Sequence, residues 1–424
     1  MANDFSKEER VAFESLLEGF NDAEVMSKAA TVYSTDQTDM ARSNDRVYRP
    51  QPYIMPSYDG MDQTGNFSGK TQLSVPVDIS FSKVVPWEMD AKEMRDALQE
   101  GRLDKGAKQK LASDINVAML NSASAYGSLV IPIATAASGF SDVAKADTIM
   151  NEQGVTYEDR YLALSSGDYN SMADNLASRQ YLGTDKTLNA YERAYVGNIA
   201  GFDTLKLDYA NRITAAAGTT TMSTLDAATN YYVPAATVAT VNGTNNVDNR
   251  FDTITVSSTA SVVAGDAFTI DGVYAVNHIS KGSTGNLKTF RVVSVDSATT
   301  MTITPPIISA QIASPAESEV QYQNCTVAAG DKSATAGVNY LNIAASAINP
   351  FWHKDALEII PGRYAIPEKA GVQVMRGSTD SGIEIVLQKQ YDVKTMKTNF
   401  RVDTLFGVAN KAPEMSGILL FNQT

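Results

Sequence analysis

With 424 residues, 43% of them hydrophobic and 20% charged, the chain is long enough for roughly two to three domains with cores of their own, and its composition is that of a folded soluble protein. No apolar run approaches the ~18 residues of a membrane span, and two histidines with one cysteine exclude disulfide frameworks and Cys/His zinc sites. A formal net charge of -13 opposes tight nonspecific binding to DNA, because that term comes from Lys and Arg neutralising phosphates, so any nucleic-acid contact is expected to be weak and local.

In chain order, Met1-Ala2-Asn3-Asp4-Phe5-Ser6-Lys7 lacks the basic-then-apolar order of a signal peptide, and the chain is expected to stay in the cytoplasm. Ser6-Lys7-Glu8-Glu9 fits a capping box, and Val11, Leu16, Leu17, Phe20 and Ala23 follow at near-helical spacing, predicting an amphipathic helix over 6–29. Its polar face carries Asp4, Glu8, Glu9, Glu14, Glu18, Asp22 and Glu24 against Lys7 and Arg10. Such a face suits either a basic partner or plain solvation.

Residues 46–85 read as a β-hairpin arm. Arg46 to Ile54 forms one side; on the other, Leu73, Val75, Val77, Ile79 and Phe81 recur at every second position, the strand period. The tip between them holds Gly60, Gly65 and Gly69 together with the apolar Tyr58, Met61 and Phe67. A two-stranded hairpin alone is marginal in water. The arm is therefore expected to complete its packing against another subunit, without a resting place in its own chain.

Beyond it, Met89 to Leu98 reads as helical, interrupted at Gly101 and Gly106. A longer helix follows, with Leu111, Ile115, Ala118, Met119, Ser122 and Tyr126 on one face, ending near Gly127. Residues 142–217 alternate helical and extended patterns: Val143 to Gln153, the strand Tyr161-Leu162-Ala163-Leu164, and a helix from Tyr169 to Arg179. From 218 to 345 the composition turns to Thr, Ala, Val, Ser, Gly and Asn. Short strands at 253–256, 268–276, 289–295 and 301–304, with turns at Asp271-Gly272 and Lys281 to Gly285, predict a small barrel or sandwich. Val238 to Asp248 reads as a polar loop. After Phe351 the mixed style returns, and the runs at 372–375, 383–387, 400–408 and 418–421 read as strands of one antiparallel sheet. The β-rich block is thus an insertion in a domain whose parts flank it.

Motifs with catalytic overtones are weak. Gly65-Asn66-Phe67-Ser68-Gly69-Lys70-Thr71 spaces its glycines by three residues where a phosphate loop needs four, and a strand follows where a helix is required. His353 beside Asp355 has no nucleophile elbow near it, and Cys325 has no flanking signature, so packed roles are expected for both. Asp90, Glu93 and Asp96 read as acidic residues favouring a helix start. No catalytic residue, cofactor or metal is expected.

The runs Val247 to Phe251 and Ala264 to Val273, with Tyr126 to Ile131, Gly197 to Asp203 and Arg401 to Val408, together resemble the coat proteins of short-tailed Salmonella and Shigella phages, in matching order along nearly the whole chain. The resemblance implies the tailed-phage major capsid fold, of α+β class, with an inserted small all-β barrel domain. Its parts fall at 1–45 (N-terminal arm), 46–82 (extended loop), 83–141 (peripheral domain, with a spine helix over Lys108 to Tyr126), 142–217 (axial domain, first part), 218–345 (insertion) and 346–424 (axial return and peripheral sheet). It also implies a shell of pentamers and hexamers around double-stranded DNA, with the portal protein at one vertex and no membrane. Contact between capsomers is expected at Asn242, Thr244, Asn245, Asn246 and Asp248, and Asn277 to Leu287 occupies the place of a loop linked to shell geometry. Contacts of the extended loop are expected at Tyr53, Tyr58 and Phe67, and of a scaffolding protein at Glu14, Glu18 and Asp22. A tail or decoration protein with a ligand-binding β domain would explain the insertion but not the long arm; a hydrolase built on His353 is the weaker rival.

Overall fold

A computed structural model describes residues 10, 13–17, 26–33, 46–52, 57, 59–64, 67, 69–90, 97–178, 196–218, 221–222, 232–241, 243–310, 315–327, 336–366, 372–379 and 381–424. Contacts divide the chain into two units, one of Met1–Val47, Pro76–Leu120 and Leu357–Ala409, the other of Tyr48–Val75, Asn121–Ala356 and Asn410–Thr424.

The first unit is built on one sheet. Its strands run in the order Thr31–Val32, Leu357–Pro361, Lys397–Asn410, Glu384–Asp392 and Gln373–Ser378, and Phe81–Asp90 also pairs with Lys397–Asn410. That last pairing is antiparallel over ten positions and sets Trp87 opposite Phe400 and Phe81 opposite Phe406. Both aromatic pairs stack, with ring centroids 5.6 Å and 5.4 Å apart, the kind of cross-strand contact that fixes register. The second side of the predicted hairpin is therefore two strands. Ser74–Asp78 pairs with Arg46–Pro50, whereas Phe81–Asp90 joins the large sheet. Gly407 makes room for this change of partner, since a Cβ there would lie 2.7 Å from the carbonyl oxygen of Asp78.

Three sequence expectations fail here. Met89 and Asp90 end a strand instead of starting a helix, so Asp90 caps no dipole; Glu93 and Asp96 lie outside the described residues. The helix is continuous over Ala97–Tyr126, because backbone hydrogen bonding along a 30-residue helix outweighs the local cost of Gly101 and Gly106, about 1 kcal/mol each. And Ser416–Leu420 is not in the sheet with the other late strands, because the chain has passed into the second unit by Asn410 and this strand pairs there with Leu129–Pro132 and Asn349–His353.

In the second unit a six-stranded sheet runs in the order Leu129–Pro132, Ser416–Leu420, Asn349–His353, Arg160–Ser165, Phe202–Leu207 and Asn198–Ile199. Helices Phe140–Gln153 and Ser166–Ala177 lay Val143, Ala146, Met150, Tyr169 and Met172 against Leu162, Leu164, Phe202, Phe351 and Leu419, forming its main core. Gly417 is obligatory in that sheet: a Cβ there would meet the carbonyl oxygen of Leu129 at 2.2 Å.

The inserted block leaves this sheet through Arg212–Ile213 and returns through Ser346–Ala347, and the two segments pair antiparallel. Within it a seven-stranded sheet gathers Ile254, Phe268, Ile270, Phe290, Val292, Met301, Ile303 and Val338 around one barrel-like core. Asp271-Gly272, expected as a turn, is a bulge inside the continuous strand Ala267–Val276, with Gly272 at φ 78°.

Candidate assembly surfaces

The expected polar loop at 238–248 is instead a hairpin. Thr237–Thr240 pairs with Gly243–Asn246, and every residue of both strands is exposed. Backbone pairing lets such a polar segment project without a core of its own. Its root is fastened by Asn249, 1% exposed, whose Oδ1 accepts from Tyr232 Oη and Ala235 N and whose Nδ2 donates to the carbonyls of Ala235 and Val247. Of the expected contact residues, Thr244, Asn245 and Asn246 lie on the exposed strand. Asp248 sits lower, in an ion pair with Arg250 at 2.6 Å, and Asn242 lies outside the described residues. Val241 at the tip is fully exposed.

The base of the extended loop corrects a sequence expectation. It has a resting place in its own chain. Leu73 is 1% exposed and packs with Ile308 and Tyr322 of the inserted domain. Tyr322 Oη accepts from Leu73 N (3.2 Å) and donates to the carbonyl of Thr71 (3.1 Å), while Thr71 N donates to Gln321 Oε1. Val75, Val77 and Ile79 are buried too, so the alternating side is satisfied within the chain. The tip differs: Met61 and Phe67 are exposed, and Tyr53 and Tyr58 lie outside the described residues. At the N-terminus, helical residues 13–17 seat Phe13 over Gly377, where a Cβ would lie 2.9 Å from the ring; Glu14 faces solvent, and Glu18 and Asp22 are outside the described residues.

Cations in the apolar strand Ser283–Val295 fasten the insertion to the main sheet. Arg291, 1% exposed, donates to the carbonyls of Gly265 and Ser124, each at 3.0 Å, and burial holds its pKa down to about 10. Thr289 Oγ1 donates to the carbonyl of Ser128. Lys288 pairs with Glu414, whose other carboxylate oxygen is 3.4 Å from His278 Nε2. Burial holds His278 down to about 4, Glu414 opposing it; burial alone would raise Glu414, but Lys288 and then His278 outweigh it and keep the carboxylate ionised below its ordinary range. The sequence reading missed this cluster, although isolated cations between apolar neighbours, as in Leu287-Lys288-Thr289-Phe290-Arg291-Val292, are the signal that would have found it.

The weak catalytic motifs resolve into packing. Thr71–Leu73 is extended and runs into a strand, so no helix N-terminus follows the glycine-spaced loop. His353 Nε2 contacts Thr156 Oγ1 at 2.9 Å and Nδ1 accepts from Asp355 N, and burial lowers the ring's pKa. Burial pushes the Cys325 thiol up to about 12, leaving it unreactive. Among the described residues no cluster of His, Cys, Asp or Glu could hold a metal, and no helix is long and apolar enough to cross a membrane.

Residues 1–422 match the model of the family described as P22 coat protein, gene protein 5. The chain belongs to the P22 coat protein family. It is a phage major capsid protein of an icosahedral head, and its architecture is mixed α+β. Similar solved structures include the capsid of cyanophage P-SCSP1u (13% identity, 93% of this chain and 87% of that one, TM-score 0.43) and a chain of Mycobacterium phage Che8 (9%, 91% and 88%, 0.41). The CUS-3 coat protein I-domain is 34% identical over 29% of this chain and 96% of its own length, with a TM-score of 0.22.

Proposed function

We propose that this capsid protein builds pentamers and hexamers of a short-tailed phage head of the Salmonella and Shigella type, by assembly and not catalysis. The observation that carries the reading is the exposed hairpin 237–246, a projecting segment with a rigidly hydrogen-bonded root and no packing role in its own chain. Thr244, Asn245 and Asn246, together with Asn242, make contacts between neighbouring capsomers, and Asp248 holds the root through Arg250. Phe67, Tyr53 and Tyr58 on the extended loop reach an adjacent subunit. Glu14, Glu18 and Asp22 offer an acidic face to a basic docking segment of a scaffolding protein, in the host cytoplasm. The portal protein takes one vertex, and the net charge of -13 limits contact with packaged DNA to weak attraction. Replacing 241–246 by a short Gly-Ser turn tests the proposal: the variant is expected to fold, with unchanged circular dichroism, and to fail to form shells. Normal shells from that variant would overturn the role of the hairpin.

A further inference from the structure

We propose that the cavity between the loop base and the inserted domain binds a small amphipathic carboxylate, its apolar body against Leu73, Ile308, Pro305 and Met415 and its carboxylate at Lys281. The cavity measures about 110 Å³. An apolar cavity of about 150 Å³ accepts benzene, so this smaller one takes at most a short alkyl chain or one small ring. Carbon lines most of the wall, through four prolines (Pro52, Pro305, Pro306 and Pro413) with Leu73, Ile308 and Met415, and the charged or titratable side chains of the lining are Lys281, His278, Arg250 and Glu414.

These groups are unequally committed. Glu414 is engaged by Lys288 and His278, and Arg250 donates to both carboxylate oxygens of Asp248 and to the carbonyl of Asn410. The Lys281 ammonium instead donates to two main-chain carbonyls, of Gln321 (2.9 Å) and Gln323 (3.2 Å), which leaves its third donor for a ligand. The turn that presents Lys281 is rigid: Asn277 Oδ1 accepts from the amides of Ile279 and Ser280, and Lys281 holds a left-handed backbone at φ 55°, where glycine would be at ease. One ammonium with a donor to spare matches a monoanion; the oily wall rejects a multiply charged ion. Because Gln51, Pro52 and Leu73 supply one side, an occupant would clamp the loop base to the insertion and stabilise the folded chain by mass action.

Equilibrium dialysis of the full chain with radiolabelled benzoate tests the site. The expected result is saturable uptake of one benzoate per chain, about tenfold weaker in Lys281→Gln, lost in Met415→Trp, which fills the cavity, and about tenfold weaker for the neutral isostere benzamide. Circular dichroism screens both variants, and either one alone is decisive if the other fails to fold. No saturable uptake up to about 10 mM, equal binding of benzamide, equal competition by inorganic phosphate, or uptake indifferent to both substitutions would each overturn the proposal.

Discussion

Arg160 shows how a charge is accommodated in this core. Its side chain is fully buried, its guanidinium pairs with Asp147 at 2.6 Å, and further bonds run to Asn151 Oδ1 and the carbonyls of Thr156 and Val155. Burial lowers its pKa and Asp147 opposes that. Asp147→Ala should therefore leave a buried guanidinium without its counter-charge and cost about 3 kcal/mol, read as a lowered denaturation midpoint; an unchanged midpoint would mean the carbonyls suffice. His278 makes a pH prediction. Its pKa lies at about 4 in the folded chain against an ordinary 6.5, so the unfolded chain binds more protons between those values, and its contribution, complete above pH 6.5, is lost as pH falls toward 4. Asp252, raised by burial to about 6, works in the opposite direction over much of that window. The expected signal is thus a difference: His278→Gln should gain on the wild type by up to about 1.4 kcal/mol per pH unit on acidification from 6.5 to 4. Parallel stability curves would contradict it. None of these buried charges was legible as a site, because a sequence shows which cations sit among apolar residues but not which distant carboxylate meets them.

At the scale of elements, local pattern was legible and partner choice was not. Phe140–Gln153, Arg160–Ser165 and Ser166–Ala177 stand close to where periodicity placed them, since each buries one face against neighbours of its own unit. The alternation from Leu73 to Phe81 correctly indicated extended chain, but alternation names only the buried face and says nothing of what covers it. Here the cover for Leu73 is Tyr322, some 250 residues on. Tyr322→Phe keeps the ring and removes both hydrogen bonds to the loop base. It is expected to cost about 1–2 kcal/mol locally, with faster hydrogen exchange at Leu73 and little change in the main sheet. Exchange at Leu73 that stays at the wild-type rate would mean that packing on Ile308 alone holds the loop. The continuous helix Ala97–Tyr126 makes the complementary point: two glycines weaken a helix without ending it.

For the whole molecule, the family and its fold were legible because separate runs of sequence occur together in the right order, and the family match over residues 1–422 rests on that same breadth. The idea of an arm with no home in its own chain was only partly right. The base is anchored intramolecularly, and what remains exposed is smaller and better defined: the loop tip with Met61 and Phe67, and the hairpin 237–246. In the proposed function these are the surfaces through which many modest contacts, repeated by symmetry, hold a shell together. Electron microscopy of the expressed chain, with and without a co-expressed scaffolding protein, tests that account most directly. Closed hollow shells, more uniform with the scaffold, are the predicted result; a chain that stays monomeric under both conditions would contradict it.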